Sequence, residues 1–275
     1  MSDIRIQQER AELFRSLHDD FLVLPNAWDA GSARLVTEAG ATAIATSSGA
    51  QSWSQGVADG RSLAKADVLA NLERIVAATD LPVSADVENA YADSAGDLRV
   101  TIAQFLATGI VGINLEDSGA TDGPLYGTAA TAERIAAARA AADDAGVDLF
   151  INARTDVFLL GVGEEDGRLA DVIARGNAYR EAGACGLFVP GLLDLDALGT
   201  VARETGLKVN AMWLPGAPAP EQLREAGVSR YSAGTAIAQV AYTAAADAAR
   251  AFLTGQDTAM AASINYFAFN NKFAK

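Results

Sequence analysis

The chain has 275 residues, 21 Lys and Arg against 35 Asp and Glu, a formal net charge of −14, and 50% hydrophobic residues. That acidic balance leaves no basic footprint for nucleic acid or an anionic membrane surface, and no segment approaches the roughly 20 apolar residues of a bilayer span. A single Cys excludes an internal disulfide framework, and the charged opening MSDIRIQQERAELF lacks the apolar centre of a secretory signal, so a cytoplasmic protein is expected.

In chain order, a leading helix carrying His18, expected on its surface, precedes a strand at FLVLP from Phe21. NAWDAGSA follows, and then one pattern recurs: a helical stretch, a Gly, and a short apolar strand ending in polar residues. It reads EAGATAIATSS from Glu38, ATGIVGINLED from Ala107, DAGVDLFINARTD from Asp144, EAGACGLFVPG from Glu181, ETGLKVNAMWLPG from Glu204 and EAGVSRYSAG from Glu225. Gly40, Gly109, Gly146, Gly183, Gly206 and Gly227 fall where a helix C-cap requires positive φ. With LPVSADVE from Leu81, there are eight candidate strands. Ala-rich stretches with apolar residues at helical spacing lie between them, for example 64–78, 98–107, 132–145 and 169–182. Alternating strands and helices imply parallel pairing with right-handed crossovers, and eight units in this length predict an α/β protein of the (β/α)8 barrel type. An open doubly wound sheet is the alternative, but NAWDAGSA is a poor match to a Gly-rich dinucleotide loop. No low-complexity linker divides the chain, so 1–275 is read as one barrel domain, with 235–275 as a C-terminal helical segment beyond it.

The chemistry of such a barrel sits at the C-terminal ends of its strands. Cys185 opens a strand at the opposite end, where a small buried hydrophobe is the simpler reading. Of Lys65, Lys208, Lys272 and Lys275, only Lys208 is in a strand, again near its start, so no Schiff-base lysine presents itself. The strand ends instead supply Asp86 and Glu88, Glu116 with Asp117, and Arg154 with Asp156. Asp86 and Glu88, two apart on one strand, are expected to face the mouth together, with Glu116 beside them. Converging carboxylates repel unless protonated or neutralised, and oxygen ligands without His or Cys favour Mg2+ or Mn2+. The competing reading is that these acids only pair with rim arginines. Arg154 either clamps a substrate carboxylate in two-point fashion or serves as such a structural partner. Ser47, Ser48 and Gly49 open a small-residue loop, 47–60, that could offer N–H groups to an oxyanion, and Asp59 closes it.

NAWDAGSARLVTEAGATAIATSSG, SADVENAY, GINLEDS and INARTD resemble the isocitrate lyase/phosphoenolpyruvate mutase superfamily. The resemblance implies a Mg2+-holding (β/α)8 barrel acting beside the carbonyl of 2-oxo acids through an enolate-like intermediate. It implies Asp86 as the direct metal ligand, and Glu88 (where the family usually has Asp) and Glu116 as ligands mainly through water. Asp59 joins that water network, and Arg154 grips the substrate carboxylate. Ser47, Ser48 and Gly49 are implied as hydroxyl and backbone donors to the substrate and Asn210 as a further amide. Trp28 belongs to a signature near the first strand, implied as support for the substrate side. It also implies a homo-oligomer, dimer or tetramer, in which the last barrel helix swaps between subunits; Tyr266, Phe267, Phe269 and Phe273 crowd the tail accordingly. The lyases carry a gate with a Cys acid–base residue after the Glu116-Asp117 position, and the mutase and phosphonopyruvate hydrolase carry a gate lysine. Here that stretch reads SGATDGPLYGTAAT, with none of these. Tyr91, Tyr126, Asp117, Ser118 or a metal-activated water is left to move protons. Two functions follow as expectations: a Mg2+-dependent lyase, hydrolase or decarboxylase of a small 2-oxo or 2-hydroxy acid, or a protein that binds such an acid without turnover.

Overall fold

The structure is a computed structural model that describes residues 4–119, 123–256 and 265–274. In order come α1 (Ile4–Ser16), β1 (Leu22–Leu24), β2 (Asn26–Ala27), α2 (Ala30–Glu38), β3 (Ile44–Thr46), α3 (Ser48–Ser54), α4 (Lys65–Ala77) and β4 (Val83–Asp86). They are followed by α5 (Ala95–Ala107), β5 (Gly112–Glu116), α6 (Thr128–Ala145), β6 (Phe150–Arg154), α7 (Arg168–Glu181) and β7 (Gly186–Phe188). The chain ends with α8 (Leu195–Thr205), β8 (Lys208–Met212), α9 (Pro220–Glu225), β9 (Arg230–Ser232), α10 (Ala236–Leu253) and α11 (Tyr266–Asn271).

All strand pairs are parallel, in the order β1-β9-β8-β7-β6-β5-β4-β3-β2. The two ends of that order, β1 and β2, are consecutive pieces of one strand parted by Pro25, so the sheet closes into a barrel of eight staves. Pro25 has no N–H to give the ladder, but its carbonyl still accepts from Ala45 N at 3.0 Å. The eight expected strands are all present, and the six repeat glycines all take positive φ, from 65° at Gly206 to 102° at Gly183. The interior and the helix–sheet layer form one continuous core that includes Leu24, Ile44, Val83, Ile113, Ile151, Leu187 and Val209.

α1 crosses the N-terminal end of the barrel as a plug. Gln7 Nε2 donates to the carbonyls of Leu106 and Ile110, and Phe14 packs edge-on against Phe150. His18 is a correction to the expected surface position: it is 1% exposed, stacked on Phe150 at 4.0 Å, with its Nδ1 2.7 Å from the carbonyl of Phe14. The plug needs a flat, partly apolar group at that point, and a neutral imidazole meets the need. Burial, aided by nearby Arg230, pulls its pKa down to about 3. Cys185, just ahead of β7, is half-buried and lies between the guanidinium groups of Arg15 and Arg139.

A second correction concerns 47–60. The loop expected there begins as helix α3, capped by Ser47, whose Oγ accepts from Ala50 N at 3.4 Å. Small residues that read as a flexible loop also permit a short helix to pack closely, and Gly49 through Ser52 are buried.

Candidate active site

A cavity of about 160 Å³ opens at the C-terminal end of the barrel, lined among others by Ser47, Ser48, Asp59, Asp86, Asn114 and Arg154. Asp86 ends β4 with 9% exposure. Its Oδ2 accepts from Ser48 N at 3.3 Å and Ser48 Oγ at 3.1 Å, while Oδ1 is buried without a partner. The donors of Ser48 therefore serve the carboxylate, with the start of α3 aimed at it. Gly49 makes room for Asp59: a Cβ there would lie 2.9 Å from Asp59 Oδ2.

Glu88 does not extend the strand as expected. β4 stops at Asp86, and Glu88, Ala90 and Tyr91 all adopt positive φ, 52°, 61° and 51°. Non-glycine residues in that region are strained, so the turn must be held from outside. Arg134 Nη2 binds the carbonyls of Asn89 and Ala92 at 2.5 and 2.9 Å, and Glu116 N donates to the carbonyl of Glu88. The turn buries Glu88 to 3% exposure, where its Oε1 accepts from the Tyr91 hydroxyl at 2.6 Å. Glu116, on β5, receives Ser118 Oγ at 2.5 Å and pairs with Arg154 Nη1 at 3.0 Å. Arg154 also forks onto Asp156 through Nε and Nη2 at 2.7 and 3.0 Å. The rim pairing weighed in the sequence thus exists for Glu116, though not for Asp86 or Glu88.

Burial raises the pKa of Asp86 and Glu88, and carries Glu116 up to about 7 despite Arg154. Among the described residues no three His, Cys, Asp or Glu side chains group closely enough to hold a metal jointly. The unpartnered Oδ1 leaves the Asp86 carboxylate able to take a hard cation, which would have to complete its shell with water. A cation there would relieve the raised carboxyls around it.

Other expected residues are placed outside the cavity wall. Trp28 donates its backbone N–H to Ser32 Oγ and sets its ring against Tyr242, centroids 5.9 Å apart. Asn210 is fully buried and turns its Nδ2 to Ser232 Oγ and the carbonyl of Ala211. Asp117 is fully buried and engaged by Arg175, Tyr179 and Asp156 N, and Tyr126 stacks on Arg134, so both act as supports. Asn26, Thr46, Asn114 and Ser232 were missed as lining residues. Asn114 carried a readable signal: it sits two residues before Glu116 in GINLED, on the same face of the strand.

A parallel barrel with an acid-lined mouth defines the class, and comparison with known proteins agrees. The sequence profile for phosphoenolpyruvate phosphomutase matches residues 14–253, and the chain belongs to that family, within the isocitrate lyase/phosphoenolpyruvate mutase superfamily. An uncharacterized protein of Mycobacterium tuberculosis is 36% identical over 245 residues, 88% of this chain and 90% of its own length. The 2-methylisocitrate lyase of Bacillus subtilis is 31% identical over 191 residues, 66% of this chain and 60% of that enzyme. A candidate phosphonomutase from Burkholderia cenocepacia J2315 superposes with a TM-score of 0.84 at 42% identity, covering 89% of this chain and 98% of that one. A phosphonopyruvate hydrolase solved with oxalate and Mg2+ shares the fold, with a TM-score of 0.83 at 22% identity over 96% and 94% of the two chains. Relatives in this superfamily are lyases, mutases and hydrolases. Among the described residues, no helix is long and apolar enough to cross a membrane.

Proposed function

We propose that the chain is a Mg2+-dependent enzyme acting on a small 2-oxo or 2-hydroxy carboxylic or dicarboxylic acid, by C–C cleavage, acyl hydrolysis or decarboxylation, through an enolate-like intermediate. The observation that carries this is an unpartnered buried oxygen on Asp86 and the guanidinium of Arg154 in the wall of one small cavity. Asp86 would hold Mg2+ (or Mn2+) directly, with Glu88 and Glu116 reaching it through water. The bound cation would supply a positive centre beside the oxygen on which negative charge develops. Arg154 keeps one N–H on each Nη beyond its bonds to Glu116 and Asp156, enough to receive a substrate carboxylate. Asp59, exposed at the cavity's edge, would join the water around the cation. The family's gate Cys is replaced by nothing equivalent: Cys185 and His18 belong to the opposite end of the barrel. Efficient isocitrate cleavage and phosphonomutase activity are therefore not expected, since one missing proton-transfer group typically lowers a rate by about 10²–10⁴.

Binding without turnover is the second reading. It is favoured by a cavity wall that contains no Cys, His, Lys or Tyr among its described residues. Titration with oxalate, with and without Mg2+, tests the site: binding should require Mg2+ and disappear in Asp86→Asn. Turnover of oxaloacetate, methylisocitrate, dimethylmalate and phosphonopyruvate then separates the two readings. Any activity should vanish with EDTA and resist thiol reagents. Failure of the wild type to bind oxalate in a Mg2+-dependent way sinks both.

The chain's assembly belongs to the same reading, with residues 235–275 as its oligomerising segment in a cytoplasmic homo-oligomer. Of the 18 residues of α10 only Ala238 is buried, while Val240, Phe252 and Leu253 are exposed. An apolar groove of about 460 Å³ along Val23, Leu24, Tyr231 and Ile237 remains on the barrel wall. A helix from a second copy would cover it.

A further inference from the structure

Arg230 lies on β9 two residues before Ser232, which lines the cavity, and it is 1% exposed. Among the described residues no carboxylate pairs with it directly, although Asp86 attracts it at longer range. Among the same residues, Nε and Nη1 are buried without partners, and its one hydrogen bond runs from Nη2 to Asn114 Oδ1 at 3.3 Å. A buried guanidinium so poorly compensated is expensive, and barrel interiors are ordinarily filled by branched aliphatic side chains. A guanidinium can only donate, so the Asn114 atom that it meets must be the amide oxygen. Asn152 meets that same oxygen at 2.9 Å and must therefore present its Nδ2. With Oδ1 taken by two donors, the Nδ2 of Asn114 faces the other way, and Asn114 lines the cavity. No hydrogen bond among the described residues uses that Nδ2. Take Arg230 away and the two amides can invert together, Asn114 donating to Asn152 and showing the cavity an acceptor instead.

We propose that Asn114 is a ligand-binding residue whose amide N–H meets an anionic oxygen of the bound acid, and that Arg230 is the positioning residue that fixes its sense. The inference rests on the cavity being the site for a 2-oxo acid. It adds a donor beside Arg154 and gives the buried Arg230 a role besides its electrostatic attraction to Asp86.

A double-mutant cycle read by calorimetric titration with oxalate in Mg2+, with thermal melts alongside, tests it. Asn114→Asp keeps the shape and gives Arg230 a carboxylate, so its melting temperature should hold or rise. Its oxalate affinity should fall by about tenfold or more, because a donor has become an anion. Arg230→Met and Asn114→Ala should each weaken oxalate, the double variant should be no worse than the worse single one, and Arg230→Lys should recover part of the loss. Additive losses, or an Asn114→Asp that binds oxalate like the wild type, overturn the proposal. Should the wild type take no oxalate, the reading of the cavity fails on its own. The orientation is then judged from a neutron crystal structure of the free protein, which locates the amide deuterons: an Asn114 Oδ1 turned away from Arg230 overturns it and the described pairing supports it.

Discussion

Glu116 lies 3.0 Å from a guanidinium, yet its carboxyl is carried to about 7, because burial outweighs one cation and Asp86 and Asp156 add repulsion. A folded pKa above the unfolded value of 4.5 means that the folded state holds the proton more tightly. The stabilisation is complete below about 4.5 and is lost as pH rises through about 7. Metal-free wild type should therefore lose melting temperature across that window relative to Glu116→Gln, and Mg2+ should remove the difference. Equal pH profiles for the two proteins would contradict the assignment. Nearby, Ala90 is fully buried at φ 61°, a backbone tolerable for Ala and very poor for a β-branched residue. Ala90→Val should destabilise by about 2–3 kcal/mol in urea unfolding. The identity of the acids was legible because strand ends in this repeat are polar. The turn that redirects Glu88 was not, since NAY contains none of the glycines that announce positive φ. The unequal engagement of the acids was equally hidden, because it depends on which donors the folded chain brings to each oxygen.

Six of the eight strands were legible as elements because each follows a capping glycine, and the other two because a short apolar run stands between helical stretches. What periodicity could not supply was the break at Pro25, which leaves β1 to pair with β9 and β2 with β3. It also missed α3, whose seven residues are too short for a helical pattern and too small to look like one. Close approach is set at this scale too. A Cβ on Gly186 would lie 2.7 Å from Asn152 Oδ1 and 2.8 Å from the carbonyl of Lys208, a backbone atom that cannot step aside. Gly186→Ala should cost about 1–3 kcal/mol in urea unfolding and disturb Asn152 along with it. A variant as stable as the wild type would show that β7 and β8 pack less tightly than described.

At the scale of the molecule, the apolar face of α10 is the feature that a lone barrel leaves unexplained, with Val240 70% and Leu253 84% exposed. Light scattering at micromolar concentration should find no monomer, and Val240→Glu should shift the protein toward one. A monomeric wild type would refute the assembly. The plug at the other end has its own consequence. With α1, Phe14 and His18 sealing the base, the barrel is blind-ended, and everything that enters the cavity must leave by the mouth it came in through. If the reaction splits one acid into two products, they must queue. The fragment nearer solvent departs first, and the one chelated beneath it leaves second, so the two should inhibit in different patterns: the last to leave competes with substrate for the free enzyme, and the first does not.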